Sequence, residues 1–436
     1  MRGRQLAVAA GLLALLCVPA HAEDRDIGRD TLPAHDGWAA EGAGTTGGAA
    51  ADAEHVFTVT DRAGLVRALD GGSDTPKIIR IAGTVDANTD DDGDRLDCSD
   101  YATGGYTLKK YLKAYDPRTW GSAKPSGPQE EARQASAAKQ AERIVLPVGS
   151  NTTIVGLGDS AVLKGASLQI KNADNVIVRN LELRDAYDCF PVWQPNTGGL
   201  GDWKAAYDTI WLTGATHVWV DHITASDRGH PDAKEPTYFA RNYLRHDGLL
   251  DITNGSDLVT VSWSRFADHD KAMLIGNGDT ATSDRGKLRV TLHHNAFKSV
   301  VQHAPRVRFG QVHVYNNRYE ITGDDYRYSL GVSTESRIFA ENNAFHAPGH
   351  VEVADVVKSW NGSALHQSGT LWGSPRTESG GGYPVDLLAI HNAYNSGSER
   401  DLTADVGWTP TLHGPIDSAA AADRAVARGA GAGRIR

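Results

Sequence analysis

Four side chains in the middle of the chain have the types and spacing to hold charge against charge. Asp247 and Asp251 stand four residues apart, and Arg306 and Arg308 two apart. Both spacings are even, so in an extended chain each pair points to one face. A carboxylate pair opposite a guanidinium pair suggests a bound cation beside a bound anion. Hard carboxylate oxygens suit Ca²⁺. Two carboxylates are too few to hold it, so a third ligand has to come from a neighbouring strand, and Asp208 in AAYDTIWL is placed to supply it. On spacing alone, solvated carboxylates at strand ends remain the plainer reading. Lys271, near the two acids, is placed to hold a carboxylate ligand, although a single Lys is usually a solvated charge. Asp268, His269 and Asp270 cannot all face one ion from a strand, and they read as a turn. His293 and His294 alternate faces, which fits core or ladder roles better than a shared metal.

The elements that must position these residues are short strands. From Asp247 to Asn317 apolar and polar residues alternate in runs broken by Gly, Asn and Asp, the period-2 signal. Runs ending in an Asn- or His-bearing pattern recur from Ile144 onward. IVRNLEL begins at Ile177, WVDHITA at Trp219, TVSWSRF at Thr260, TLHHNAF at Thr291, HVYNNRY at His313 and FAENNAF at Phe339, steps of 42, 41, 31, 22 and 26 residues. The shortest steps match one turn of a solenoid, and the longer ones a turn with an insertion. No long amphipathic helix intervenes, which argues against alternating strand–helix folds. The fold class expected is all-β: a right-handed parallel β-helix with long loop insertions, a few short peripheral helices, and Asn stacked at equivalent corners of successive coils. An antiparallel sandwich or propeller fits the irregular spacing less well.

Elsewhere the chain is less regular. Ser126 to Arg143 carries an early Pro and then EEARQASAAKQAER, a helix whose apolar content is mostly Ala and which belongs at the surface. Residues 23–54 are rich in Gly, Ala and Asp and read by composition as a linker. After Pro348 the strand pattern fades into loops, and a closing segment with an Ala/Gly-rich tail should pack along the outside. With 47 Gly, 8 Phe and 2 Met, the core must come mainly from Val, Ile, Leu and Ala.

Residues 1–22 have the form of a secretory signal: Arg2 and Arg4, an apolar run from Leu6 to Val18, then Ala20-His21-Ala22. The run is too short to span a bilayer comfortably, so no membrane partner is expected. The mature unit would be residues 23–436. Loss of Arg2 and Arg4 takes the formal net charge from −10 to −12, which argues against nucleic acid as a partner. An anionic ligand would need local Arg or metal. Cys98 and Cys189 remain after cleavage. Export permits a disulfide between them, and two free buried thiols fit equally well.

Four stretches carry a resemblance. TIVGLG at 153–158, VWVDH at 218–222, DGLLDITNGSDLVTVSWSRFADHDKAMLIG and APRVRFGQVHVYNN resemble the secreted pectate lyases of the parallel β-helix lyase family. The likeness runs from about Gly37 to the GAGAG tail, so it replaces the linker reading for residues 37–54. The resemblance implies a secreted, monomeric enzyme that cuts α-1,4-polygalacturonate by β-elimination to 4,5-unsaturated products and needs Ca²⁺. It implies Asp208, Asp247 and Asp251 as calcium ligands and Lys271, Arg306 and Arg308 as substrate contacts, with Arg308 in the catalytic group. One position departs. The family has an Arg, the presumed base, where this chain reads Gln302-His303-Ala304-Pro305-Arg306-Val307-Arg308. Two outcomes follow: His303 is the working base, or the protein binds pectate with weak or lost catalysis.

Overall fold

The computed structural model describes residues 25–435 apart from 396 and 398. The expected signal segment, residues 1–22, lies outside the described residues. Three parallel sheets, two of ten strands and one of eight, wind the chain into stacked coils. Most coils contribute one strand to each sheet, so a strand's neighbours come from the coil before and the coil after. Among the described residues of these three sheets only the last strand of one ten-stranded sheet, Tyr383–Pro384, pairs antiparallel; two small antiparallel pairs, Val192–Gln194 with Asp202–Lys204 and Thr237–Tyr238 with Arg241–Asn242, stand apart.

The recurring runs fall into register. Ile177 pairs with Trp219, Trp219 with Thr260, Thr260 with Thr291, Thr291 with His313, and His313 with Phe339. The unequal steps are therefore insertions pushed out between strands, and the strands keep their alignment. One residue further along each run lies an inward row, Val178, Val220, Val261, Leu292, Val314 and Ala340, all fully buried. A second row stacks Phe266, Phe297, Tyr319 and Phe345 at centroid spacings of 5.4, 5.0 and 4.2 Å. β-Branched and aromatic side chains fit these pleated faces.

The coils turn on an asparagine ladder. The Oδ1 of Asn317 accepts from the backbone N and Nδ2 of Asn295 at 2.9 and 3.1 Å. Asn343 does the same for Asn317 at 2.9 and 3.1 Å. Each amide thus satisfies backbone groups that a corner would otherwise leave unpaired.

Two expectations need correction, and the start of the chain sides with the resemblance against the linker reading. The Gly-rich start lies flat on the sheet: Gly48 N donates to Thr153 Oγ1 at 2.8 Å, and Ala39 N to Thr260 Oγ1 at 3.1 Å. A Cβ on Gly37 would sit 2.5 Å from Thr260 Oγ1, and Gly37 has φ 86°, so close approach and backbone both require glycine there. Coils also continue past Pro348, through Val357–Ser359, Leu365–Ser368 and Leu371–Gly373. And Asp268 to Asp270 lie inside the strand Arg265–Lys271, with Asp268 at φ 53° re-aiming the chain.

The helix Pro128–Ile144 packs with a polar inner face. Buried Gln140 donates to Tyr187 O at 2.7 Å and accepts from Cys189 N at 3.0 Å. Cys98 and Cys189 are joined, closing a loop 91 residues long, which constrains the unfolded chain by about 4–5 kcal/mol in the entropy model. The tail forms the helix Ala419–Gly429, whose buried Asp423 binds Arg318 and His346. Among the described residues no helix is long and apolar enough to cross a membrane.

Asn317→Ala should cost about 1–3 kcal/mol, because buried backbone partners above and below lose their acceptor or donor. A shift in the denaturation midpoint, with far-UV circular dichroism unchanged, measures it; a loss under 0.5 kcal/mol would remove the ladder from the stabilising interactions.

Candidate functional site

The charged residues gather along the eight-stranded sheet. Its strands Ile210–Thr213, Leu250–Thr253, Leu274–Ile275 and Arg306–Val307 are consecutive neighbours. Trp211, Asp251, Leu274, Arg306 and Gly331 form one register row. Asp251 Oδ1 accepts from Leu274 N at 2.9 Å. Since Leu274 pairs with Arg306, Asp251 and Arg306 are two coils apart, roughly 10 Å by strand spacing.

Asp208 and Asp251 converge at Gly248. Asp208 Oδ1 accepts from Gly248 N at 2.7 Å. A Cβ placed on Gly248 would lie 2.3 Å from Asp251 Oδ1 and 3.0 Å from Asp208 Oδ1. Glycine thus leaves open a space that two carboxylate oxygens face. Asp247 does not reach it by the extended-chain route expected. The chain bends after Asp247, and the N–H groups of both Leu249 and Leu250 point to Ala272 O at 3.0 Å. The Asp247 carboxylate lies 3.8 Å from Lys204 and 3.8 Å from Lys271.

The three acids nonetheless act on one another. Burial, then Asp251 and Asp247, lifts the Asp208 carboxyl well above its usual range. Burial, then Asp247, pushes Asp251 up to about 7. Such mutual repulsion is what a bound cation would relieve. The donors are all oxygen, the set that hard Ca²⁺ takes, so these residues fit that ion.

Lys271 and His303 meet across the next coils. Gly248 bridges to Lys271 in parallel register, and Lys271 pairs with Gln302. Burial opposes the Lys271 charge, but Asp247 and Asp270 outweigh it and hold the ammonium charged. Buried His303 follows Gln302 at φ 57°, a left-handed conformation that His adopts more readily than most residues. Its backbone O accepts from Met273 N at 2.7 Å. Burial, then Lys271, Arg306 and Arg308, pushes its imidazole well below the usual 6.5, so the ring is neutral at neutral pH.

The two arginines part company. Arg306 turns to Ser333 Oγ at 3.1 Å and lies 4.2 Å over the Trp360 ring. Arg308 is braced by Asp279 Oδ1 at 2.6 Å and Gly276 O at 3.1 Å. A cavity of about 1010 Å³ opens beside the neighbouring ten-stranded sheet and reaches Lys271 and Gln302. Its walls mix Arg228, Lys234, Arg241 and Arg327 with several aspartates.

Sequence reading missed one buried group. Below the cavity, His246 lies between Asp185 at 3.2 Å and Asp232 at 3.0 Å. His269 spans Asp227 Oδ2 at 2.6 Å and the Asp247 carbonyl at 2.8 Å. Burial works against a charged His246, yet Asp227, Asp185 and Asp232 prevail and raise it to about 10. The residues lie between 185 and 269 in no period, so only the folded chain brings them together.

The chain matches the family model described as pectate lyase over residues 7–99 and 121–406. It is 44% identical over 431 residues to a pectate lyase of Bacillus subtilis, covering 98% of each chain. It is 36% identical over 383 residues to pectate lyase E of Dickeya chrysanthemi, covering 85% of this chain and 83% of that one. Among solved structures, a mutant of a B. subtilis pectate lyase superposes with TM-score 0.87 at 45% identity, over 94% of this chain and all of the other. A pectate lyase bound to a hexasaccharide gives 0.87 at 44% identity, with the same coverage.

Asp251→Asn keeps an acceptor for Leu274 N and removes one of the crowded charges. In EGTA the variant should melt at or above the parent's temperature. Added Ca²⁺ should raise the melting temperature of the parent and leave the variant unmoved. A variant that still gains stability from Ca²⁺ would take Asp251 out of the cation site.

Proposed function

The chain belongs to the pectate lyase family and is a polysaccharide lyase, and from that premise we propose that it is a secreted, calcium-dependent enzyme cutting α-1,4-polygalacturonate by β-elimination. The observation that carries the reading is the convergence of Asp208 and Asp251 on Gly248, in register with Lys271. On this reading residues 23–436 work as one unit, a monomer, after a signal ending at Ala22 is removed.

The reaction must take the proton from C5 of a galacturonate, use its electron pair to form the C4–C5 double bond, and release the C4 oxygen. That proton is acidic only if the neighbouring carboxylate is neutralised. Calcium held by Asp208, Asp247 and Asp251 would supply part of that neutralisation as a Lewis acid. Lys271 brings a charged ammonium to the same place, kept charged by Asp247 and Asp270. Arg308, held in place by Asp279, offers a second cation and a planar fork for a carboxylate. Arg306 supports the wall through Trp360 and Ser333.

His303 takes the C5 proton. A base must be unprotonated and within hydrogen-bond reach. Burial, and then the surrounding cations, keep its imidazole neutral without alkaline solvent. A second reading rests on the same residue: with His where the family has Arg, the protein binds pectate and cleaves it slowly.

Ultraviolet absorbance of the unsaturated product, followed on polygalacturonate with Ca²⁺ and with EGTA, separates these readings. Lyase activity that EGTA abolishes supports the enzyme; saturable binding without product supports the second reading. Activity that persists in EGTA, or equal rates on polygalacturonate and on highly methylated pectin, would count against the calcium-bridged mechanism.

His303→Ala should lower kcat by about 10²–10⁴, and His303→Arg should move the pH optimum to the alkaline side. The sign for the parent follows from the depressed pKa. The base form persists as pH falls through 6.5, so kcat should hold there and drop only at lower pH. A His303→Ala variant as active as the parent would disqualify His303 as the base.

A further inference from the structure

Five buried side chains lie under the cavity floor, none of them a proposed calcium ligand. Asp185, Asp227, Asp232, His246 and His269 are all more than nine-tenths buried. One donor atom each from Asp227, Asp232 and His246 lies within 4.8 Å of the other two. Two oxygens in this group, Asp227 Oδ1 and Asp232 Oδ2, have no hydrogen-bond partner. A buried carboxylate oxygen without a partner is costly, and two of them on carboxylates that flank one imidazole point to a cation.

The surroundings orient each donor from behind. Asp185 Oδ1, 3.2 Å from His246 Nε2, draws the proton to that nitrogen. This leaves Nδ1 facing Asp232 Oδ1 at 3.0 Å and Asp227 Oδ2 at 3.7 Å. A carboxylate behind the far nitrogen is the usual support of a metal-bound histidine. Asp227 is held through its other oxygen by His269 Nδ1 at 2.6 Å, and Asp232 through its other oxygen by Arg245 N at 2.9 Å. Each carboxylate therefore keeps one oxygen uncommitted. The competing arrangement is an imidazolium alone, but a single proton on Nδ1 satisfies Asp232 Oδ1 and leaves both unpartnered oxygens as they are.

We infer that Asp227, Asp232 and His246 form a binding site for one divalent transition-metal ion, distinct from the carboxylates at Gly248. One imidazole with two carboxylates suits Zn²⁺ or Mn²⁺, whereas Ca²⁺ prefers oxygen alone. Asp227 and Asp232 line the 1010 Å³ cavity, which provides the entry path. The site meets the calcium ligands through the bond from His269 to the Asp247 carbonyl and through His246, the residue before Asp247.

The test uses the full chain stripped with EDTA and then held in excess Ca²⁺, so that sites for hard ions are filled. Zn²⁺ is added, and the metal retained after dialysis is measured, with isothermal titration for affinity. The parent and Asp251→Asn should each bind one equivalent. His246→Gln and Asp232→Asn should bind at least 10-fold more weakly, with far-UV circular dichroism reporting that they are folded. Zn²⁺ binding that Ca²⁺ displaces, that Asp251→Asn abolishes, or that both His246→Gln and Asp232→Asn leave intact would overturn the assignment. Parent crystals soaked in Zn²⁺ give a second readout free of variants. An anomalous peak among Asp227, Asp232 and His246 supports the site, and its absence there overturns it.

Discussion

The parallel hydrogen-bond ladder is the constraint on which everything else depends. Strands about 4.8 Å apart convert long sequence separations into side-by-side contacts. Asp208 meets Gly248 forty residues on, and Asn295 meets Asn317 twenty-two on. The ladder tolerates insertions because they leave at the corners and return to the same register. That is how a coil of 42 residues and one of 22 can carry the same inward row of Val, Leu and Ala. Stability and site construction are thereby separated. The aromatic stack and the asparagine ladder hold the coils, and the loops and outward positions are left for charge.

That separation lets the fold hold a charge arrangement that is unfavourable by itself. Burial raises both Asp208 and Asp251, helped at Asp208 by Asp251 and Asp247 and at Asp251 by Asp247. An acidic chain that gathers three more acids in one place gains nothing in stability from doing so, and the core has to offset it. The counter-charges are arranged at a distance: Lys204 and Lys271 each stand 3.8 Å from Asp247. At that separation they steady the loop without capping the oxygens that face Gly248. The result is a row that alternates from carboxylate to ammonium to neutral imidazole within three coils.

How much of this the sequence discloses depends on whether a residue's role is periodic. The six recurring runs were legible because alternation and the Asn corner repeat, and all six fall into register as spaced. Asp247 was harder. Its even spacing from Asp251 implied a straight strand, and the bend at Gly248 and Leu249 broke that assumption. Asp268 to Asp270 read as a turn because three adjacent residues cannot all face one ion from a strand, yet His269 has partners at both nitrogens that make the strand position favourable. The Gly-rich start looked like a linker because composition does not show that Thr153, Thr260 and Thr291 wait on the sheet to receive it. The Asp/His group below the cavity draws on insertions of different length, so no spacing announces it.

Position 303 shows what a register site demands of its occupant. It is buried, left-handed, and surrounded by Lys271, Arg306 and Arg308. A guanidinium there is a fourth like charge, and that repulsion is what would help it lose a proton, but from a starting pKa above 12. Reaching the neutral base at pH 7 then needs a shift of more than about five units. An imidazole starts near 6.5, and the same repulsion carries it the other way from protonation. The fold therefore offers either residue a field that favours its base form. With Arg the field must do nearly all the work and yields a strong base in small supply. With His it has almost nothing left to do and yields a weaker base that is fully present. The substitution exchanges basicity for availability while the surrounding cations stay in place, so the consequence for rate rests on reach. The shorter imidazole must meet the C5 proton from a backbone that its neighbours on both coils hold fixed.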